Sequence, residues 1–73
     1  MDPKYKNIGD PAILLIEEAS ELIKAVTKIE RFGMYNYNPY DEKKLTNLEK
    51  LRGEWSDLKT RYDQYVVGLF KSI

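Results

Sequence analysis

The chain has 73 residues, in which 12 Lys and Arg balance 12 Asp and Glu, and it contains neither His nor Cys. A chain this short forms one small domain, buries only about 60% of its unfolded surface and needs a staple or a partner. Without Cys and His there is no disulfide, no thiolate nucleophile, no Ser-His catalysis and no zinc site of the usual kind, and zero net charge disfavours a long nucleic acid or a membrane surface as partner.

From the N-terminus, residues Met1–Asp10 are polar and lack the apolar core of a leader, and no apolar run reaches the length of a bilayer span. A cytoplasmic chain is the expectation. Asp10-Pro11 is the first helix start, an N-cap followed by proline at the first helical position. Leu15, Ala19, Leu22, Val26 and Ile29 then recur at four- and three-residue steps, and Gly33 stops the helix after Arg31 and Phe32. The helix is expected over about 11–32.

Residues 33–46 form a loop that contains Asn38-Pro39 and three tyrosines, Tyr35, Tyr37 and Tyr40. Off-helix rings of this kind either stack on a nucleobase or fold back over the helix ends. Thr46-Asn47-Leu48-Glu49 is a capping box that opens a second helix, expected over about 47–70. Along it Leu48, Leu51, Trp55, Leu58, Tyr62, Tyr65 and Leu69 keep a heptad-like rhythm, which assigns Trp55, Tyr62 and Tyr65 to the core or to a bundle interface. Gly53 interrupts helix propensity there by about 1 kcal/mol relative to alanine. The fold class is therefore all-α: an antiparallel two-helix hairpin, one domain over 1–73, which assembles into a four-helix bundle as a homo-oligomer, either dimer or tetramer.

The acidic residues carry the chemistry. With about 100° per residue and each apolar stripe at zero, Glu18 falls near about −60° and Glu21 near −120°, while Glu54 falls near −70° and Asp57 near −130°. Antiparallel neighbours keep equal offsets on the same side, so all four converge along one edge of the hairpin. Ionised carboxylates crowded beside apolar side chains repel each other, and a hard divalent cation relieves that repulsion. Oxygen-only ligands favour Mg²⁺ or Mn²⁺. Lys28 and Arg61 share the same side, where they can hold phosphate oxygens. The alternative is a solvated helix flank, with Glu21-Lys24 and Asp57-Arg61 as ordinary surface pairs.

These residues also resemble a known pattern. Ile16-Glu17-Glu18-Ala19-Ser20-Glu21-Leu22-Ile23, continuing through Lys28-Ile29-Glu30-Arg31-Phe32-Gly33, resembles the first motif of MazG-like all-α nucleotide pyrophosphohydrolases. Tyr37-Asn38-Pro39 and Thr46-Asn47-Leu48, leading to Glu54-Trp55-Ser56-Asp57, look like the second half of short phage-type members. The resemblance covers roughly Ile13 to Leu58, and its pattern is E-x-x-E, a spacer, then E-x-x-D. It implies Mg²⁺ held by Glu18, Glu21, Glu54 and Asp57, with Glu17 as a supporting carboxylate or water orienter beside Glu18. It also implies a nucleotide ligand, cleaved as a triphosphate between its α- and β-phosphates. The chain departs from the family in its longer spacer and in Gly53, where a second acid is common. Members typically carry further helices, so either a second subunit completes the pocket or the pocket stays open. Two other functions fit the same residues: a phage-type protein that sequesters a nucleotide signal without turnover, and a helical interaction module without a ligand.

Overall fold

In a computed structural model, the described residues are 9–71; most of the polar N-terminal stretch and residues 72–73 lie outside them. Two helices, α1 (Pro11–Phe32) and α2 (Asn47–Lys71), pack against each other as an all-α hairpin. Among the described residues, no helix is long and apolar enough to cross a membrane.

The helix ends form where the local chemistry demands. The Asp10 carboxylate accepts the Ala12 N–H at 2.8 Å, its carbonyl accepts the Leu14 N–H at 3.0 Å, and Pro11 occupies a position that needs no donor. At the far end Gly33 takes φ +89°, a conformation that L side chains rarely adopt, while its N–H still donates to the Ile29 carbonyl at 2.8 Å. Helix α2 opens on the capping box: the Glu49 N–H donates to Thr46 Oγ1 at 3.1 Å, and the Thr46 N–H donates to Glu49 Oε1 at 3.2 Å.

The connection is tied to the helices rather than draped over them. Asn38-Pro39-Tyr40-Asp41 is a turn closed by Asp41 N–H on the Asn38 carbonyl at 3.1 Å, with proline at its second position. Tyr37 forms an isolated antiparallel bridge with Thr46. The carbonyls of Asn36 and Met34 accept the Asn47 and Leu48 N–H groups at 2.9 and 2.8 Å, which satisfies donors that the first turn of α2 would otherwise leave orphaned. The buried Asn47 amide donates to the Gly33 carbonyl at 3.0 Å and so pins the end of α1 to the start of α2.

The seam between the helices corrects one expectation. Besides Leu14, Leu15 and Ala19, it takes in Glu18, Leu22, Ala25 and Ile29 on α1, and on α2 it centres on Leu51, Glu54, Leu58, Arg61 and Tyr65, all buried or half-buried. Relative to the middle of the covered residues Glu18 and Glu54 lie at about −30° rather than at −60 or −70°, so each helix is rotated by about 25–40° toward its acidic side. Trp55 and Tyr62, assigned to a core or interface, do not enter the hairpin core: they remain 57% and 56% exposed. The apolar arc is wider than a single partner helix can cover, and among the described residues Ala25, 7% exposed, is the buried hydrophobic.

Candidate metal centre

Rotation of both helices toward the acidic side brings three of the four expected carboxylates together. Glu18 from α1 and Glu54 and Asp57 from α2 each place an oxygen within 4.8 Å of the others. Glu18 and Glu54 are half-buried and Asp57 is exposed. Glu21 stands apart from the triad, since its Oε1 receives Lys24 Nζ at 3.4 Å. It still lines a cleft of about 80 Å³ beside Glu54, together with Lys24, Ala25, Lys28 and Lys50.

The triad carries uncompensated negative charge. Partial burial raises the pKa of Glu54 above its ordinary 4.5, and the charges of Glu18, Asp57 and Glu21 and a side-chain hydrogen bond with Glu18 push it the same way. Among the described residues the ion pairs are Lys24–Glu21 and Lys50–Asp41, and neither reaches the triad. The surface pair Asp57–Arg61 is not formed. Instead the half-buried Arg61 donates from its guanidinium to Gln64 Oε1 at 3.1 Å.

The donor set fits a small, hard cation. All three donors are carboxylate oxygens, the ligand type a small hard cation takes. In an octahedral Mg²⁺ site at most one pair of the three is trans, about 4.2 Å apart, and the others are cis, about 3 Å apart, so the side chains would have to draw closer than the observed spacing to share one ion. Beside the triad, a groove of about 370 Å³ is lined by Glu18, Asp57, Thr60, Arg61 and Gln64. Arg61 therefore shares a groove with two of the three carboxylates. Lys28 lies at the opposite end of the acidic edge, in the smaller cleft with Glu21 and Glu54.

The remaining expected residues divide. Glu17 is exposed on α1 and is not part of the triad. Tyr37 lines a further cleft with Lys28, whereas Tyr35 and Tyr40, 70% and 94% exposed, line none of the clefts described here. Two residues on the acidic edge escaped the sequence reading. Lys50, which pairs with Asp41 at 3.2 Å, lies one turn before Glu54, so the offset arithmetic that selected Glu54 could also have selected it. Asn47 gave no signal beyond its place after the N-cap.

No protein-family model, curated protein or solved structure matches the chain.

Proposed function

We propose that this protein is a Mg²⁺-dependent nucleotide-binding protein of MazG-like type that hydrolyses nucleoside triphosphates between the α- and β-phosphates, in the cytoplasm. The observation that supports this reading is the convergence of Glu18, Glu54 and Asp57 from two helices on one edge of the hairpin, with no ion pair to them among the described residues. These three residues would hold Mg²⁺, with Glu21 close enough to add to their field. When bound, Mg²⁺ neutralises phosphate charge and lowers the pKa of an attacking water. Arg61 and Gln64 orient phosphate oxygens from the adjoining groove, and Lys28 does so from the other end of the edge.

The folded unit in this reading is a homo-oligomer that completes a four-helix bundle. The chain exposes 6150 Å², whereas a folded monomer of this mass exposes about 4,700 Å². Its radius of gyration, 15.5 Å, exceeds the roughly 11 Å of a compact domain of this length. One broad side of the hairpin contributes to this exposed surface. Ile16, Ile23 and Val26 on α1 and Trp55 and Tyr62 on α2 all lie at about +45 to +125° from the seam, away from the carboxylates. A second copy covers that side and leaves each acidic edge open to solvent.

The test is pyrophosphate release from nucleoside triphosphates with Mg²⁺. Glu18→Gln and Asp57→Asn are each expected to reduce it at least about 100-fold. A nucleotide that binds but is recovered intact after denaturation replaces turnover with sequestration. If neither nucleotide nor Mg²⁺ raises the melting temperature, the chain is an interaction module and the proposal fails.

A further inference from the structure

Past the carboxylates, the acidic edge continues into a second cleft that the roles above leave unused. It holds about 250 Å³ between the end of α1 and the connection. Phe32 and Tyr37 give it two aromatic rings, Asn36 and Asn38 two amides, and Lys28 and Lys50 two ammonium groups. Both lysines also line the smaller cleft beside Glu21 and Glu54, so the two spaces adjoin. From Glu54 to Asn47 the rise along α2 is only about 10 Å.

The walls of this cleft are held by contacts that leave most of its functional groups available; the exception is the Lys50 ammonium, which pairs with Asp41 at 3.2 Å and would exchange or share that partner with an anion. The Asn36 carbonyl accepts the Asn47 N–H at 2.9 Å, and Tyr37 bridges to Thr46. Asn38 Oδ1 accepts the Tyr40 N–H at 3.0 Å. Among the described residues, the Asn36 amide and the Asn38 NH₂ make no side-chain hydrogen bond, and Lys28 makes no ion pair. Phe32 is 60% exposed and Tyr37 47% exposed, so their rings are open to a ligand.

Rings, amides and ammonium groups in one concave site suit a planar heterocycle that has a donor–acceptor edge and is joined to an anion. The rings offer stacking, which tolerates any base, and the amides offer paired donors and acceptors, which distinguish one base edge from another. A bare phosphate would leave both rings unused, and zero net charge disfavours a long nucleic acid. We propose that this cleft is the nucleobase subsite: Tyr37 stacks on the base, Asn36 and Asn38 bind its edge, and Lys28 and Lys50 hold the phosphates between the base and the carboxylates. This inference rests on the nucleotide reading above.

The experiment is calorimetry with Mg²⁺ and two kinds of probe: α,β-methylene nucleoside triphosphates of the four bases, and inorganic tripolyphosphate, which has no base. Wild-type protein is expected to bind at least one analogue about 10-fold more tightly than tripolyphosphate. Tyr37→Ala removes that advantage and leaves tripolyphosphate binding unchanged, whereas Tyr37→Phe and Tyr40→Ala preserve it. Asn36→Asp, which retains size while replacing a donor by an acceptor, weakens the preferred base about 10-fold even if Tyr37→Ala proves unfolded. If tripolyphosphate binds as tightly as every analogue, or if both Tyr37→Ala and Asn36→Asp behave like wild type, the cleft is not a base site, while the metal reading stands. If neither probe binds in a Mg²⁺-dependent way, the nucleotide reading itself has failed.

Discussion

The two long sides of the hairpin are built from the same two helices yet do opposite things. On one side Glu18, Glu54 and Asp57 draw their oxygens within 4.8 Å of one another, at an electrostatic cost visible in the raised pKa of Glu54. On the other, Ile16, Ile23, Trp55 and Tyr62 stay more than half exposed, at a hydrophobic cost. Neither side is what an isolated hairpin optimised for stability would present. A seam centred on the apolar stripes would have covered Trp55 and Tyr62 better and left the carboxylates in water. In the proposed reading a cation answers the first cost and a second copy the second, independently of each other.

The sharpest way to break this contrast is through the cation. Mg²⁺ at 100 times its dissociation constant is expected to stabilise the protein by about 2.7 kcal/mol, a rise on the order of 10–20 °C in melting temperature for a domain of this size. Glu18→Gln should remove most of that rise and leave self-association unchanged. A thermal melt with and without Mg²⁺, run beside sedimentation, checks both halves. The mirror-image change is Trp55→Asp on the apolar side. It is expected to weaken self-association by about 2 kcal/mol or more, roughly 30-fold in dissociation constant, and to leave each subunit's Mg²⁺ affinity close to wild type. Loss of Mg²⁺ binding in dispersed Trp55→Asp subunits would show that the two sides are coupled and that the acidic edge is not self-sufficient.

A smaller effect is expected at a position that belongs to neither side. Gly53 lies exposed in the interior of α2, and a Cβ placed there meets nothing within 4 Å. Gly53→Ala is therefore expected to stabilise the protein by about 1 kcal/mol through helix propensity and reduced freedom of the unfolded chain, without altering Mg²⁺ binding or association. Chemical denaturation checks the gain. A loss instead would mean that Gly53 lies against something in the assembled state.

Local signals wrote most of the fold into the sequence. Asp10-Pro11, Gly33 and the Thr46/Glu49 box act over three or four residues, and each appears in the structure at the expected place. The convergence of acids was legible too, because signed offsets survive antiparallel pairing. Which part of a wide apolar arc becomes the seam was not legible, since Leu22 and Val26, or Leu58 and Trp55, are equally apolar in a periodicity count. The two residues that end up buried, Ala25 and Asn47, are a small side chain and an amide, neither of which a count of large apolar positions selects. Glu21 stands apart for a reason the sequence did offer: its i,i+3 spacing to Lys24 allows an ordinary surface pair, and that pair forms, whereas Asp57–Arg61 does not. The cleft of Asn36, Tyr37 and Asn38 depends on long-range ties such as Asn47 to Gly33, which no local pattern announces.

The finest test concerns the acidic side alone. The folded-state pKa of Glu54 is raised above 4.5, so the folded protein holds this proton more tightly than the unfolded chain does. Its contribution to stability is fully present below about 4.5 and is lost as pH rises through the folded-state value. Asp41 runs the other way: its pKa is lowered, chiefly by the Lys43 N–H and then by Lys50, so its contribution is present above 3.8 and lost as pH falls further. Between neutrality and about pH 5 the Glu54 effect therefore acts alone of the two, and the cation-free protein is expected to melt at a higher temperature as pH is lowered through that window. Glu54→Gln should flatten this slope and raise stability at pH 7.5 by on the order of 0.5 kcal/mol, the scale of a relieved like-charge contact. The same substitution should weaken Mg²⁺ binding. A residue whose neutralisation stabilises the empty protein and weakens its hold on a cation serves the site at the expense of the fold. If Glu54→Gln instead destabilises the cation-free protein at pH 7.5, Glu54 is a structural residue, and the acidic side is merely a solvated helix flank.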